Sequence, residues 1–262
     1  MRSSPLQRTP LVIGVLAATG VAFLVIPIAA LLIRAPWSGL AHELTTSGAW
    51  FALRLSIEVS LAAAGLSLLF GAPVAWVLAR SSIPGRSVLR AIVILPLVLP
   101  PVVGGVALLA ALGRSGVVGR WLEGIGIQLT FTVWGAIVAT TFVSIPLVIL
   151  AAEAGLRSLD PRLEGAAAAM GASRGYVLRR VTIPLLRPQL AAGLVLAWAR
   201  ALGEFGATIT FAGNLAGRTQ TLPLAVYQAR QSDPGAAILL SLILVGLSLS
   251  VLVAMRDRIF AR

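Results

Sequence analysis

The sequence predicts an all-α, polytopic membrane protein with six transmembrane helices, and three observations carry that expectation. Mean hydropathy is +0.96, and 11% of the 262 residues are charged against 58% hydrophobic, whereas soluble domains carry roughly 25% charged residues. Uncharged runs recur at the length of a bilayer crossing. The charged residues collect in the connections between those runs, above all in one long connection at about 157–188.

A helix rising about 1.5 Å per residue needs about 20 apolar residues to cross a hydrocarbon core of about 30 Å. Such runs occur at Leu11–Ile33, Val59–Ala79, Ala91–Gly113, Gly124–Ala152 and Gly235–Met255. A sixth begins near Pro188 and meets Arg200 and Glu204 before reaching full length. The first run follows Arg2 and Arg8, as the apolar core of a signal peptide would. It is longer than such a core, which runs to about 15 residues, and lacks a small-residue cleavage site, so it reads as a retained span. On this division residues 1–50 hold a tail, the first span and an outer loop. Residues 51–256 form the main membrane domain with its insert at about 157–188, and 257–262 form a short tail.

The formal charge is +12, yet the basic residues are scattered between apolar runs rather than gathered on one face, which argues against a nucleic-acid partner. Every one of the 21 basic residues is arginine. Without lysine there is no phosphate-binding GxxxxGK[ST] loop and no Schiff-base chemistry. Cysteine is absent and His42 is the single histidine, so neither a thiol nucleophile nor a structural zinc site is expected. An enzyme is therefore not expected, and any work drawn from ATP must come from another chain.

Cytoplasmic segments of membrane proteins carry the excess of basic residues. Alternate connections hold Arg2 and Arg8; Arg80, Arg86 and Arg90; Arg157, Arg162, Arg174, Arg179, Arg180 and Arg187; and Arg256, Arg258 and Arg262. The other side holds Arg34, Arg54, Arg114, Arg120, Arg218 and Arg230. The asymmetry predicts that both termini and the long insert lie in the cytoplasm.

Within the insert, Asp160 followed by Pro161 signals a helix start, the carboxylate capping free N–H groups and proline suiting the first helical position. Leu163, Ala167 and Met170 share one face, while Gly165, Ala166 and Ala169 keep the rest of the surface low. Gly171 is placed to end the helix with positive φ, Ser173 to cap a second one running to about Thr182, and Pro184 to stop it. The expected product is an elbow of two short helices with small residues at its bend. Alanine's high helix propensity is one explanation of such a stretch; a docking knob for another protein is the other.

The stretch EGAAAAMGASRGYVLRRVTIP, Glu164–Pro184, resembles the EAA loop of permease subunits of type I ABC importers. Ala166, Ala167, Gly171 and Pro184 match that pattern. Gly165 stands at its acidic position, with Glu164 adjacent. LPLVLPPVVGG from Leu95 and RALGEFGATITFAGNLAGRTQTLPLAVY from Arg200 are similar to molybdate permeases and, more distantly, to sulfate permeases, and the likeness extends over about Ala52–Met255. The resemblance implies the type I ABC importer permease fold and an inner-membrane location. It also implies a second permease copy in a homodimer, two cytoplasmic ATPase subunits that bind ATP and magnesium, and a periplasmic protein that delivers the oxyanion. Glu164, Gly165, Ala166, Ala167, Gly171, Ala172 and Ser173 would then contact the ATPase, and this chain would bind no cofactor itself.

Pro96, Pro100, Pro101, Gly104 and Gly105 cluster inside the third predicted span, where they must kink or unwind the helix. Such backbone is tolerated at membrane depth where it meets protein or a watery cavity, which makes Pro100, Pro101 and Gly104 candidates for the pathway or its gate. Arg200 and Glu204, four apart on the fifth predicted helix, are candidates for the same pathway or for simple mutual neutralisation. Asn214 and Arg218, with Thr219 and Gln220, form a donor-rich loop facing outward, suited to the anion or to the delivering protein. A self-sufficient secondary transporter or channel is the rival reading, but it needs intramembrane ionisable groups that are scarce here and leaves the insert without a purpose.

Overall fold

The computed structural model describes residues 10–45 and 47–260. Arg2, Arg8 and Arg262, used above for orientation, and the outer parts of both predicted tails lie outside the described residues. Every regular element among the described residues is helical. Helix α1 (Leu11–Arg34) crosses first, and a short turn and α2 (Leu40–Thr45) lead into α3 (Ser47–Arg80). The long α3 starts well before the predicted Val59, because Arg54 and Glu58 bridge one turn at 2.6 Å and keep that charged stretch helical.

The third predicted span is two helices. α4 (Arg86–Val98) and α5 (Pro101–Leu112) meet at 117°, since Pro100 and Pro101 stand where the ladder would have to continue. After α6 (Gly119–Gly124), the fourth span begins later than its uncharged run suggested. Gly126 takes φ +80°, and Thr132 caps α7 (Val133–Ser158) by accepting from Gly135 N–H. Next come α8 (Pro161–Ala169), α9 (Arg174–Val177), a π turn at Leu178–Thr182 and α10 (Ile183–Leu202). The chain finishes with α11 (Gly206–Phe211), α12 (Leu222–Ser232) and α13 (Pro234–Phe260). Among the described residues five helices are long and apolar enough to span a membrane, and counting the bent α4–α5 pair as one span makes six.

Helix α7 is the axis of the bundle, buried against α3, α4, α5, α10 and α11. It approaches α10 closely because Gly193 faces Ala151 and Val148, where a Cβ would sit 2.8 Å from the Ala151 methyl. Small residues permit such contact where lipid supplies no hydrophobic drive between helices. Polar ties set the register: Ser67 to Ser144 at 3.0 Å, Trp198 Nε1 to Ser60 Oγ at 2.8 Å, and Leu222 N–H to Ser56 Oγ at 2.6 Å. Helix α1 has no buried residue at all, consistent with a helix whose flanks meet lipid or another chain.

Two expectations fail here. Pro184 does not stop the second elbow helix, because Arg174–Leu202 runs as one 29-residue helix. In the π turn Ile183 N–H donates to Leu178 O, one residue further back than in an α-helix, and this wide turn carries the ladder past a residue with no N–H. Glu204 does not share the fifth helix with Arg200 either. That helix ends at Leu202, and Glu204 lies in the break before α11.

Candidate functional site

The elbow forms as its residues dictate. Asp160 accepts from Arg162 N–H at 2.9 Å and Pro161 opens α8. Gly171 takes φ +88° at the bend, and Ser173 accepts from Tyr176 N–H at 3.3 Å to start α9. Gly165, Ala166, Ala168, Gly171 and Ser173 are exposed; Ala167 is buried and Ala172 half-buried. Leu163 and Met170, expected on one face with Ala167, are exposed at 49% and 82%. Ala167, Met170, Gly171, Ala172, Ser173 and Tyr176 line an open hollow of about 530 Å³. The apolar part of the bend thus faces out, with no side chain of the described residues covering it.

Glu164 faces the other way. Its carboxylate takes an ion pair from Arg80, at the end of α3, at 3.2 Å and a hydrogen bond from Thr182 Oγ1, in the π turn, at 2.7 Å. Thr182 is almost wholly buried, and the Arg80 guanidinium also lies 6.0 Å from the Trp76 ring. Glu164 therefore fastens the elbow to two spans at once. Gly165, at the motif's acidic position, meets nothing within 4 Å at its missing Cβ.

Sequence reasoning missed a second carboxylate at this end of the bundle. Glu153 is 3% exposed, receives Arg157 Nε at 3.0 Å and Nη2 at 2.9 Å, and pairs with Arg90 of α4. Arg157 also donates to Leu78 O of α3 at 3.2 Å. Glu153 thus joins α4 to α7, and Arg157 extends the tie to α3. The available signal was an acid at the end of an apolar run with arginine four residues on.

Deeper in the bundle the two helix breaks meet. A Cβ at Gly206 would lie 2.7 Å from Pro101 Cβ and 3.1 Å from Val102 N; one at Gly105 would lie 2.5 Å from Thr210 Cβ and 3.1 Å from Ala207 O. Only glycine lets α5 and α11 pack backbone to backbone here. Gly104 is buried against Phe142, while Pro100 and Pro101 are exposed. Glu204 lies in this region with its side chain 1% exposed, its Oε1 accepting from Ala207 N–H at 2.8 Å and its Oε2 2.5 Å from Arg200 Nη1.

The predicted outer loop is less open than expected. Thr219 and Gln220 are buried: Thr219 Oγ1 accepts from Leu215 N–H at 3.1 Å, and Gln220 donates to Gln228 at 2.6 Å. Asn214 also donates to Gln228, at 3.3 Å. Of that group, Arg218 alone is exposed.

Residues 67–261, which include the elbow and both breaks, match the family described as binding-protein-dependent transport system inner membrane component. The chain belongs to this family. Among relatives of this transport-system component is the molybdenum transport system permease protein ModB of Mycobacterium tuberculosis, 48% identical over 231 residues, covering 87% of each chain. ModB of Haemophilus influenzae is 46% identical over 208 residues, covering 74% of this chain and 90% of that one. A sulfate transport system permease protein, CysW of Synechocystis, is 38% identical over 199 residues, covering 74% and 72%. The fold is that of a bacterial ABC transporter involved in the import of the acidic polysaccharide alginate, with a TM-score of 0.72 at 24% identity, covering 95% of this chain and 94% of that one.

Proposed function

We propose that the chain is the membrane-spanning subunit of an ATP-driven molybdate importer, with tungstate as a second substrate of the same tetrahedral, doubly charged kind. The observation that carries this reading is the elbow: an outward bend of small residues whose one carboxylate is turned inward and tied to Arg80 and Thr182. A push on the exposed bend reaches α3 and α10 through fixed polar contacts rather than through a flexible loop. Two partner ATPases supply the push and hold ATP and magnesium, so this chain binds no cofactor. A second copy completes the pathway, and an extracytoplasmic binding protein delivers the anion to the side where Arg218 is exposed. The elbow and both termini face the cytoplasm, and residues 51–256 act as the permease domain. Alternating access follows when two elbows are drawn together and rock the bundles joined to them. Sulfate is the runner-up substrate, supported by the weaker likeness to CysW.

The test is capture of the tagged chain in detergent after expression with its partners, followed by uptake into vesicles. An ATP-hydrolysing subunit copurifies, and it is lost when Gly171–Ser173 is replaced by bulky residues. Uptake of molybdate requires ATP and the binding protein. Uphill accumulation by vesicles holding this chain alone would reject the proposal.

A further inference from the structure

Arg200 is an arginine inside a predicted span, and among the described residues the acid it pairs with is Glu204. The two members of the pair are held very differently. Glu204 sits in the break between α10 and α11 with its side chain 1% exposed, and Ala207 N–H fixes its Oε1 at 2.8 Å. Its Oε2 approaches Arg200 Nη1 to 2.5 Å but has no partner in hydrogen-bond geometry. The Arg200 side chain is 30% exposed. The carboxylate is therefore anchored, and the guanidinium is the member free to turn.

Among the described residues no rival acid is seen to pair with Arg200. Its exposed neighbours along the chain are Leu196 and Ala199 on α10 and Gly203 just beyond it. Across the break, where Gly206 meets Pro101 and Val102, the side chains are uncharged throughout α5 and α11. A guanidinium presents five N–H donors in a planar fork that matches two oxygens of one oxyanion. A single approach to Oε2 leaves most of that fork unused.

We propose that Arg200 is the anion contact of the pathway and that Glu204 is the built-in anion that holds it between passages. A tetrahedral oxyanion dianion reaching the break takes the guanidinium from Glu204, and Glu204 reclaims it as the anion leaves. This rests on reading the chain as an oxyanion importer subunit. An unpaired arginine at this depth would hold a dianion firmly. Here every contact to the anion leaves a buried carboxylate without its cation, and that opposing cost keeps the site shallow. A conduit needs such shallowness, since binding must be strong enough to admit the ion and weak enough to release it.

The experiment uses the whole transporter, with ATPases and binding protein, and molybdate as the probe. Glu204→Gln removes the competing charge. The purified complex then retains molybdate about tenfold more tightly, on the scale of one charge-assisted contact, and turns over more slowly. The neutral double variant Arg200→Met with Glu204→Gln keeps the wild-type melting temperature but does not import. If the pair serves only to neutralise itself, the double variant imports at the wild-type rate and Glu204→Gln retains no extra molybdate; either result overturns the exchange. A wild-type complex that imports a different tetrahedral oxyanion, retained more tightly by Glu204→Gln, corrects the substrate and upholds the exchange. Import of no oxyanion at all overturns both readings.

Discussion

The elbow and the paired helix breaks are built from the same small residues for opposite reasons. At the elbow, Gly165 and Gly171 face open space, and the missing side chains leave a hollow for something else to enter. At the breaks, Gly105 and Gly206 face backbone and Cβ atoms at 2.5–3.1 Å, and the missing side chains are already used within the chain. The carboxylates follow the same division. Glu164 and Glu153 tie separate helices together at the elbow end, whereas Glu204 is tied to one N–H, that of Ala207 at the start of α11, and to one arginine. Smallness in sequence marks close approach, and the structure says whether the approaching body belongs to the chain or comes from outside it.

Substitutions at equivalent residue types sharpen this contrast. Gly206→Val should have the largest effect: branched carbons must displace Pro101 and the Val102 backbone, costing about 3 kcal/mol of stability, read as a lowered melting temperature in detergent. Glu153→Gln comes next. It leaves the Arg90 and Arg157 guanidinium groups without their shared charge, and a loss of about 2 kcal/mol is expected. The same variant should free α4 from α7, seen as faster hydrogen exchange at the end of α4. Gly171→Ala meets no neighbour, but its φ of +88° penalises any Cβ, by about 1 kcal/mol. Capture of the ATP-hydrolysing partner should fall in parallel as the bend shifts. Smallest is Gly165→Ala, in open space on α8. It should raise stability by about 0.5 kcal/mol through helix propensity. A large loss there, or none at Gly206, would collapse the distinction between the two regions.

Much of this was legible in the sequence because it depends on local rules. Asp160, Pro161, Gly171 and Ser173 cap and turn a chain wherever they stand in this order, and the structure follows them. The span count follows from the lengths of uncharged runs, and the proline pair at 100–101 announced a break. What was not legible depends on partners distant in sequence. That Glu164 pairs with Arg80, that Glu153 gathers Arg90 as well as Arg157, and that Thr219 and Gln220 turn inward are products of packing. Pro184 misled because its rule is written for an α-ladder, and the chain left that ladder for one turn. Glu204 does meet Arg200, as the four-residue spacing suggested, but it does so from the break beyond Leu202 rather than from the helix itself.

The π turn between Leu178 and Thr182 fits one residue more into a turn than an α-helix does. Winding the same residues as ordinary α-helix would swing everything N-terminal to them by about 100° around the axis. The compass bearing of the exposed bend relative to the span below it is therefore set by the width of one turn and held there by the Glu164 contacts to Arg80 and Thr182. A homologous chain one residue shorter at this point could wind as plain α-helix and still aim its bend at the same quarter of whatever docks there.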